Sequence, residues 1–277
     1  QGKLDDGFSY EQQALLLAEQ GQQHREVTQI MAILGTISLE RGDFATALYY
    51  TGRVLDRNRA EGNVYYQILD MRQLAYIYAN LLAYRQALAL CDEASELQAR
   101  IRYDDPLLSV VKASCLVAVG RVDEGIDLLQ TVALRQHQNM RSRLLVTLAL
   151  ARALVTAEDY LGALRQAEGL AAESHGRNNV LYARSLLWLG LAQHEMGDTH
   201  AAATLHRALE NELVYGGRDI WLCYYALGRA SSDPAAAEHY NWQALQTIRD
   251  IASRLDAYPD LREALLRSAI VRELTAS

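Results

Sequence analysis

Histidines, cysteines and carboxylates are the side chains from which a reaction centre or a metal site would be built. His194 and Glu195 stand side by side, as they do in zinc-protease helices. The position four beyond His194 is Asp198 rather than a second histidine, so a metal pair with its general base is not assembled. His194, His200 and His206 are spaced by six, which leaves successive members roughly 120° out of line on a helix. A Gly197-Asp198 turn also intervenes, and surface or groove histidines are the reading. Gly2-Lys3 lacks the upstream glycine and the following Ser/Thr of a phosphate-binding loop and reads as a turn. The cysteines Cys91, Cys115 and Cys223 are odd in number, far apart and embedded in helical patterns. They read as small buried apolar residues in a reducing compartment. Neither Cys-x-x-Cys nor Gly-x-Ser-x-Gly occurs. The carboxylates read as solvated charges on outer helix faces. The expectation is a chain with no catalytic group, no cofactor and no metal.

The elements that must position these side chains are helical. Leu, Ala, Glu, Gln and Arg dominate, which are good helix formers, and Val and Ile never alternate as in strands. Half of the 277 residues are hydrophobic, which excludes general disorder. The formal charge of −7 argues against nucleic-acid binding, which needs a basic footprint. No apolar stretch reaches bilayer length and no signal peptide is visible. No Asn-x-Ser/Thr sequon occurs, which agrees with a cytoplasmic location. Pro106, Pro234 and Pro259 each follow or flank aspartates and read as first-turn prolines, whose missing N–H costs nothing there.

One figure recurs along the chain: a small residue, a turn, and a second small residue twelve positions after the first. The pairs are Gly35 and Ala47, Ala75 and Ala87, Ala113 and Gly125, Ala151 and Ala163, Gly190 and Ala202, and Tyr225 with Ala237, where Tyr225 departs from the rule. The recurrences start 35 to 40 residues apart, which is one helical hairpin per repeat. Each pair marks where two antiparallel helices approach too closely for a large side chain.

These residues resemble tetratricopeptide repeats: Gly35, Gly190, Ala47, Ala202 and Trp221 fall on that family's characteristic positions, over nearly the whole chain. The period is longer than the family's usual one. It is similar to the long-hairpin variety of MalT-like activators and related ATPase-containing bacterial signalling regulators. The segments from Ile220 to Leu227, Asp233 to Ala236 and Leu261 to Leu266 look like the C-terminal end of such proteins. The resemblance implies an all-α, right-handed superhelical solenoid of about 6.5 repeats forming one domain over 1–277. A half repeat occupies 1–24, hairpins occupy 25–60, 61–100, 104–138, 139–176, 178–215 and 218–257, and a capping helix occupies 259–274. Residues Gly2 to Leu4 followed by Gly7 to Ala18 read as a turn and second helix whose first helix is absent, so an excised portion of a larger protein is expected.

In stacked hairpins of this family the first helices line the concave side. That implies a ligand- or peptide-binding face formed by Thr36, Glu40, Arg72, Tyr76, Asn80, Ser114, Arg152, Arg184, His194 and Arg229, with Glu195 beside them. Four arginines there suit a carboxylate-bearing peptide or protein segment; alternatively they meet glutamates of neighbouring repeats. Ala32, Thr36, Arg72 and Tyr76 stand where the co-chaperone version carries its carboxylate-gripping Lys and Asn, so chaperone-tail binding is not expected. The apolar middle, Val110, Val117 and Leu148, packs either a ligand or the interior. Of each tyrosine pair (Tyr49-Tyr50, Tyr65-Tyr66, Tyr224-Tyr225), one ring packs between hairpins and the other faces outward. The implied function is a non-enzymatic protein- or peptide-binding module, the sensor or scaffold of a multidomain bacterial regulator. The alternative is a self-sufficient peptide receptor or adaptor. Implied partners are an acidic peptide or protein, other domains of the same polypeptide, or a second copy through the exposed N-terminal half repeat; nucleic acid and membrane are not.

Overall fold

A single three-residue turn generates most of the architecture. At Arg41-Gly42-Asp43, Gly42 takes a left-handed φ of 76° and the Asp43 N–H donates back to the Ser38 carbonyl at 2.9 Å. This closes one helix in a Schellman-type bond. The Asp43 carboxylate then accepts from the Thr46 N–H at 3.2 Å, capping the next helix. The same returning bond forms at Gln23, Asn63, Ala83, Arg121, Asp159 and Asp198, each after a residue of positive φ. A turn this short sends the second helix back along the first.

The computed structural model describes residues 2–135 and 139–276. Among them, α1 (Gly2–Gln20) leads into α2 (His24–Glu40), α3 (Phe44–Ala60), α4 (Val64–Asn80) and α5 (Tyr84–Ile101). The shorter α6 (Pro106–Ala118) and α7 (Val122–Ala133) follow; the end of the expected hairpin 104–138, residues 136–138, lies outside the described residues. Then come α8 (Met140–Thr156), α9 (Tyr160–Ser174), α10 (Asn179–Glu195), α11 (Ala201–Tyr215), α12 (Ile220–Ala230) and α13 (Pro234–Ser253). Two short helices, α14 (Pro259–Leu266) and α15 (Ala269–Ala276), close the order. No strand occurs among the described residues, and the helices pack mainly on their chain neighbours, except α15, which packs on α13. No helix there is long and apolar enough to cross a membrane. All three prolines occupy first turns, and the three cysteines are free and buried.

Several expectations need correction. Gly2 and Lys3 are helical, not a turn, and Asp5 in the first turn of α1 favours a helix start there. The expected capping helix 259–274 breaks at Arg267-Ser268, where the Ser268 hydroxyl accepts the Val271 N–H at 3.3 Å and starts α15. Four of the six small-residue pairs are buried on both sides. In the fifth, the turn between α10 and α11 lengthens to 196–200, so Ala201, not Ala202, is buried. In the sixth, the turn 231–233 holds no left-handed residue, and Gly228 replaces Tyr225 at the close approach: a Cβ there would meet the Asn241 side chain and the Ala237 carbonyl. Tyr65 and Tyr66 are both largely exposed, contrary to the one-in, one-out expectation, because Tyr65 lies edge-on against Tyr103 instead of between hairpins.

The array does not stay open. Gly42, in the α2–α3 turn, abuts Gly217, in the α11–α12 loop: a Cβ on Gly217 would stand 2.5 Å from the Arg41 carbonyl oxygen. Only glycine permits backbones to approach so closely. The largest apolar cluster holds Leu39, Phe44, Leu81 and Cys115 together with Trp221, Ile248, Leu261 and Leu274. The last helices thus share a core with the first, and the first helices of the hairpins surround an interior.

Candidate binding cavity

The interior is a chamber of about 180 Å³. Its walls come from the first helix of every hairpin: Glu40 of α2, Tyr76 of α4, Val110 of α6, Leu148 of α8, Leu187 of α10 and Leu222 of α12. Toward the hairpin turns a wider outer chamber of about 730 Å³ begins, with Asn80, Arg152, Trp188, Asp219 and Leu222 lining both. Tyr84, Tyr160, Tyr225 and Ile270 of α15 line the outer chamber.

Among the face residues singled out from sequence, Glu40, Arg72, Tyr76, Asn80, Ser114, Arg152 and Arg184 line the inner chamber. Glu195 and Arg229 line the outer one. Thr36 is exposed on α2, its hydroxyl donating to the Ala32 carbonyl at 3.0 Å, and neither Thr36 nor His194 lines either chamber. Val110 and Leu148 face the chamber, while Val117 is buried between α6 and its neighbours. Arg141, Trp188, Arg218 and Leu222 also line it and were not legible from the repeat template. Arg218 follows Gly216-Gly217, and that break in helical pattern between two hairpins was the available signal.

The arginines divide into two groups. Arg72 donates to Asp105 at 2.6 Å, and Asp105 in turn caps α6 through the Leu107 N–H at 3.0 Å. Arg229 pairs with Glu195 at 2.5 Å. Arg184 and Arg218, both nearly inaccessible, form a buried cluster with three carboxylates. Arg184 donates to Glu40, to Asp219 at 2.8 Å, and stands 3.7 Å from Glu212. Arg218 meets Asp219 at 3.1 Å and Glu40 at 3.5 Å, with its guanidinium 5.0 Å from the Tyr76 ring centroid. Glu212 accepts the Gly217 N–H at 3.2 Å. Arg72 and Arg229 thus pair with carboxylates of neighbouring hairpins, as Arg184 does with Asp219, while Glu40 reaches Arg184 and Arg218 from the other end of the array.

Arg152 differs. Among the described residues no carboxylate lies within 4.0 Å of it; its one hydrogen bond is a long 3.4 Å contact to the Tyr84 hydroxyl. Its guanidinium sits 5.6 Å from the Trp188 ring centroid.

Electrostatics in the cluster follow from burial against pairing. Burial alone would raise the Glu40 carboxyl, but Arg184 and Arg218 overcome it and hold the group below its ordinary value. Asp219 is likewise drawn down against burial by Arg218 and Arg184. Glu212 is raised, by burial first and by Asp219 second, and its Oε1 has no hydrogen-bond partner. Two guanidiniums facing three carboxylates leave one negative charge in excess, and Glu212, the most deeply buried of the three, is the one pushed upward. No group of three or more His, Cys, Asp or Glu side chains able to hold a metal ion occurs among the described residues.

No known family model matches the chain, and no curated protein is similar to it at a significant level.

Proposed function

We propose that this chain is a protein- or peptide-binding module of tetratricopeptide type, a right-handed superhelical array closed within one turn, serving as sensor or scaffold in a larger bacterial signalling protein. The observation that supports the reading is the chamber itself. Every hairpin contributes its first helix to one interior of apolar walls and guanidinium groups, the composition expected of a ligand site. An extended segment fits the outer chamber, with one side chain or terminus entering the inner one. Arginines there suit an acidic segment. Binding that spreads or tightens the closure between Gly42 and Gly217 would give a separate output domain two states to read.

The test is a display screen of acidic peptides followed by calorimetry. A selected peptide is expected to bind with a stoichiometry of about one and to lose at least tenfold in affinity, ~1.4 kcal/mol, on Arg152→Ala. Unchanged affinity in Arg152→Ala, or a peptide mapped by crosslinking to the outer faces of α3 and α5, overturns the concave-face reading. A self-sufficient receptor would bind equally with or without neighbouring domains; a regulatory module would bind differently in the two contexts.

A further inference from the structure

We infer that the inner chamber is a site for a small amphipathic monocarboxylate, an aliphatic or aryl acid that docks its carboxylate on Arg152 and its apolar body between α6, α8, α10 and α12. The inference rests on the reading of this interior as a binding site but not on the peptide partner.

Size comes first. A volume of about 180 Å³ corresponds to roughly six waters at ~30 Å³ each. That admits a small molecule and excludes a folded peptide segment. The walls come next. Leu107, Val110, Val111, Leu145, Leu148 and Leu187 give the chamber an aliphatic side, on which a sugar or a nucleotide would leave its hydroxyls unpaired. A chain or ring of carbon atoms loses nothing there.

Charge selects the head group. Arg72, Arg184 and Arg218 already face carboxylates, and Arg141, the remaining guanidinium of the lining, is exposed. Arg152 is half-buried, carries five N–H donors and uses them in one long hydrogen bond. A half-buried guanidinium so little used keeps most of its donors for a ligand. The Trp188 ring face stabilises the charge in part, but a ring face accepts no directed pair of hydrogen bonds. A carboxylate presents two coplanar oxygens that match the guanidinium fork. A dianion fits less well, because Glu40 and Asp219 line the same chamber and would repel the second charge.

Access is also provided. Arg152 and Trp188 line both chambers, so an acid arriving through the outer chamber meets the guanidinium at the junction, then passes its carbon chain inward. Occupation would fill space between α4, α6, α8, α10 and α12 and so bear on the same closure that a partner in the outer chamber would sense.

The experiment is calorimetric titration of the full chain with hexanoate, hexanol and hexylamine as probes, one acid, one neutral and one cationic head on the same chain. Hexanoate is expected to saturate a single site and to bind at least tenfold more tightly than either of the others. Arg152→Met is expected to abolish the preference for acid over alcohol, with far-ultraviolet circular dichroism and melting temperature unchanged. Arg152→Lys, which keeps the charge, should retain part of the preference, and Leu148→Trp, which fills the chamber, should block all three probes. If Arg152→Met does not fold, the Lys and Trp variants carry the decision alone. Equal affinity for hexanoate and hexanol, or hexanoate binding undiminished by Leu148→Trp, overturns the proposal. Binding of an acidic peptide without hexanoate binding overturns it while leaving the peptide reading intact; hexanoate binding without any peptide does the reverse.

Discussion

Replacing Arg184 by methionine removes one guanidinium from three carboxylates and keeps most of the side chain's volume. Arg184 stands 2.8 Å from Asp219 and 3.7 Å from Glu212, and it donates to Glu40. At an effective dielectric of ~20, each of the two contacts with a stated distance carries a gross attraction of ~4–6 kcal/mol. Most of that is spent in taking the ions out of water. What the mutation leaves behind is decisive: Glu40, Glu212 and Asp219 would share Arg218 alone. Breaking a buried pair from one side costs ~3–5 kcal/mol, and that is the expected loss in urea unfolding at neutral pH. Glu40→Gln should cost distinctly less, because the cluster holds one carboxylate more than it can balance and Glu212 is already raised. The reasoning is refuted if Arg184→Met costs under ~1 kcal/mol, or if Glu40→Gln costs as much as Arg184→Met.

Asp70, buried beside the Asn58 amide at 2.6 Å, is pushed up by burial to about 6 from an ordinary value of 3.8. A raised carboxyl contributes stability that is fully present below pH 3.8 and is lost as pH rises through 6. At ~1.4 kcal/mol per pH unit, the difference of 6 − 3.8 sets an upper bound of about 3 kcal/mol. Asp70→Asn, which can still accept from Asn58, should therefore flatten the stability curve between pH 4 and 6 and stabilise the chain at pH 7; a denaturant series at three pH values checks this. Glu158 holds a left-handed φ of 61°, so Glu158→Gly should stabilise by about 0.5–1 kcal/mol in thermal melts. A Cβ on Gly190 would sit 2.6 Å from the Leu205 side chain, whereas one on Gly52 meets nothing within 4 Å. Gly190→Ala is thus expected to destabilise by about 1–3 kcal/mol and Gly52→Ala to stabilise by about 0.5–1 kcal/mol, a difference in sign that paired melting curves would show.

The hairpins were legible because their signal is local. Gly42-Asp43 and Gly197-Asp198 spell a left-handed residue and a returning N–H, and the small residues repeat wherever two helices touch. The template slipped where the turn changed: at 196–200, which gained residues, and at Ser231-Ser232-Asp233, which lost its left-handed position. Closure was not legible at all. Glu40 meets Arg184 and Arg218 across 144 and 178 residues, and no spacing rule within one hairpin encodes the accumulated rotation of six. The same gap explains the arginines. Their presence on the first helices was readable, but whether each faced a carboxylate depended on which hairpin came round to meet it. Arg152, on α8, shares the chamber with the buried cluster but has no carboxylate within 4.0 Å among the described residues.

That seam has a consequence in time. Contacts between neighbouring hairpins close short loops and can form wherever the chain first nucleates. The pairing of Glu40 with Arg184 and Arg218 must instead await nearly every hairpin between them, at the entropic cost of a long loop. Assembly should run as zippering followed by a latch. In stopped-flow refolding, helical signal would return first, and protection of the Gly217 and Asp219 amides from hydrogen exchange would arrive last. In the reverse direction the latch is the first point to yield, which makes it the place where an applied pull would be felt.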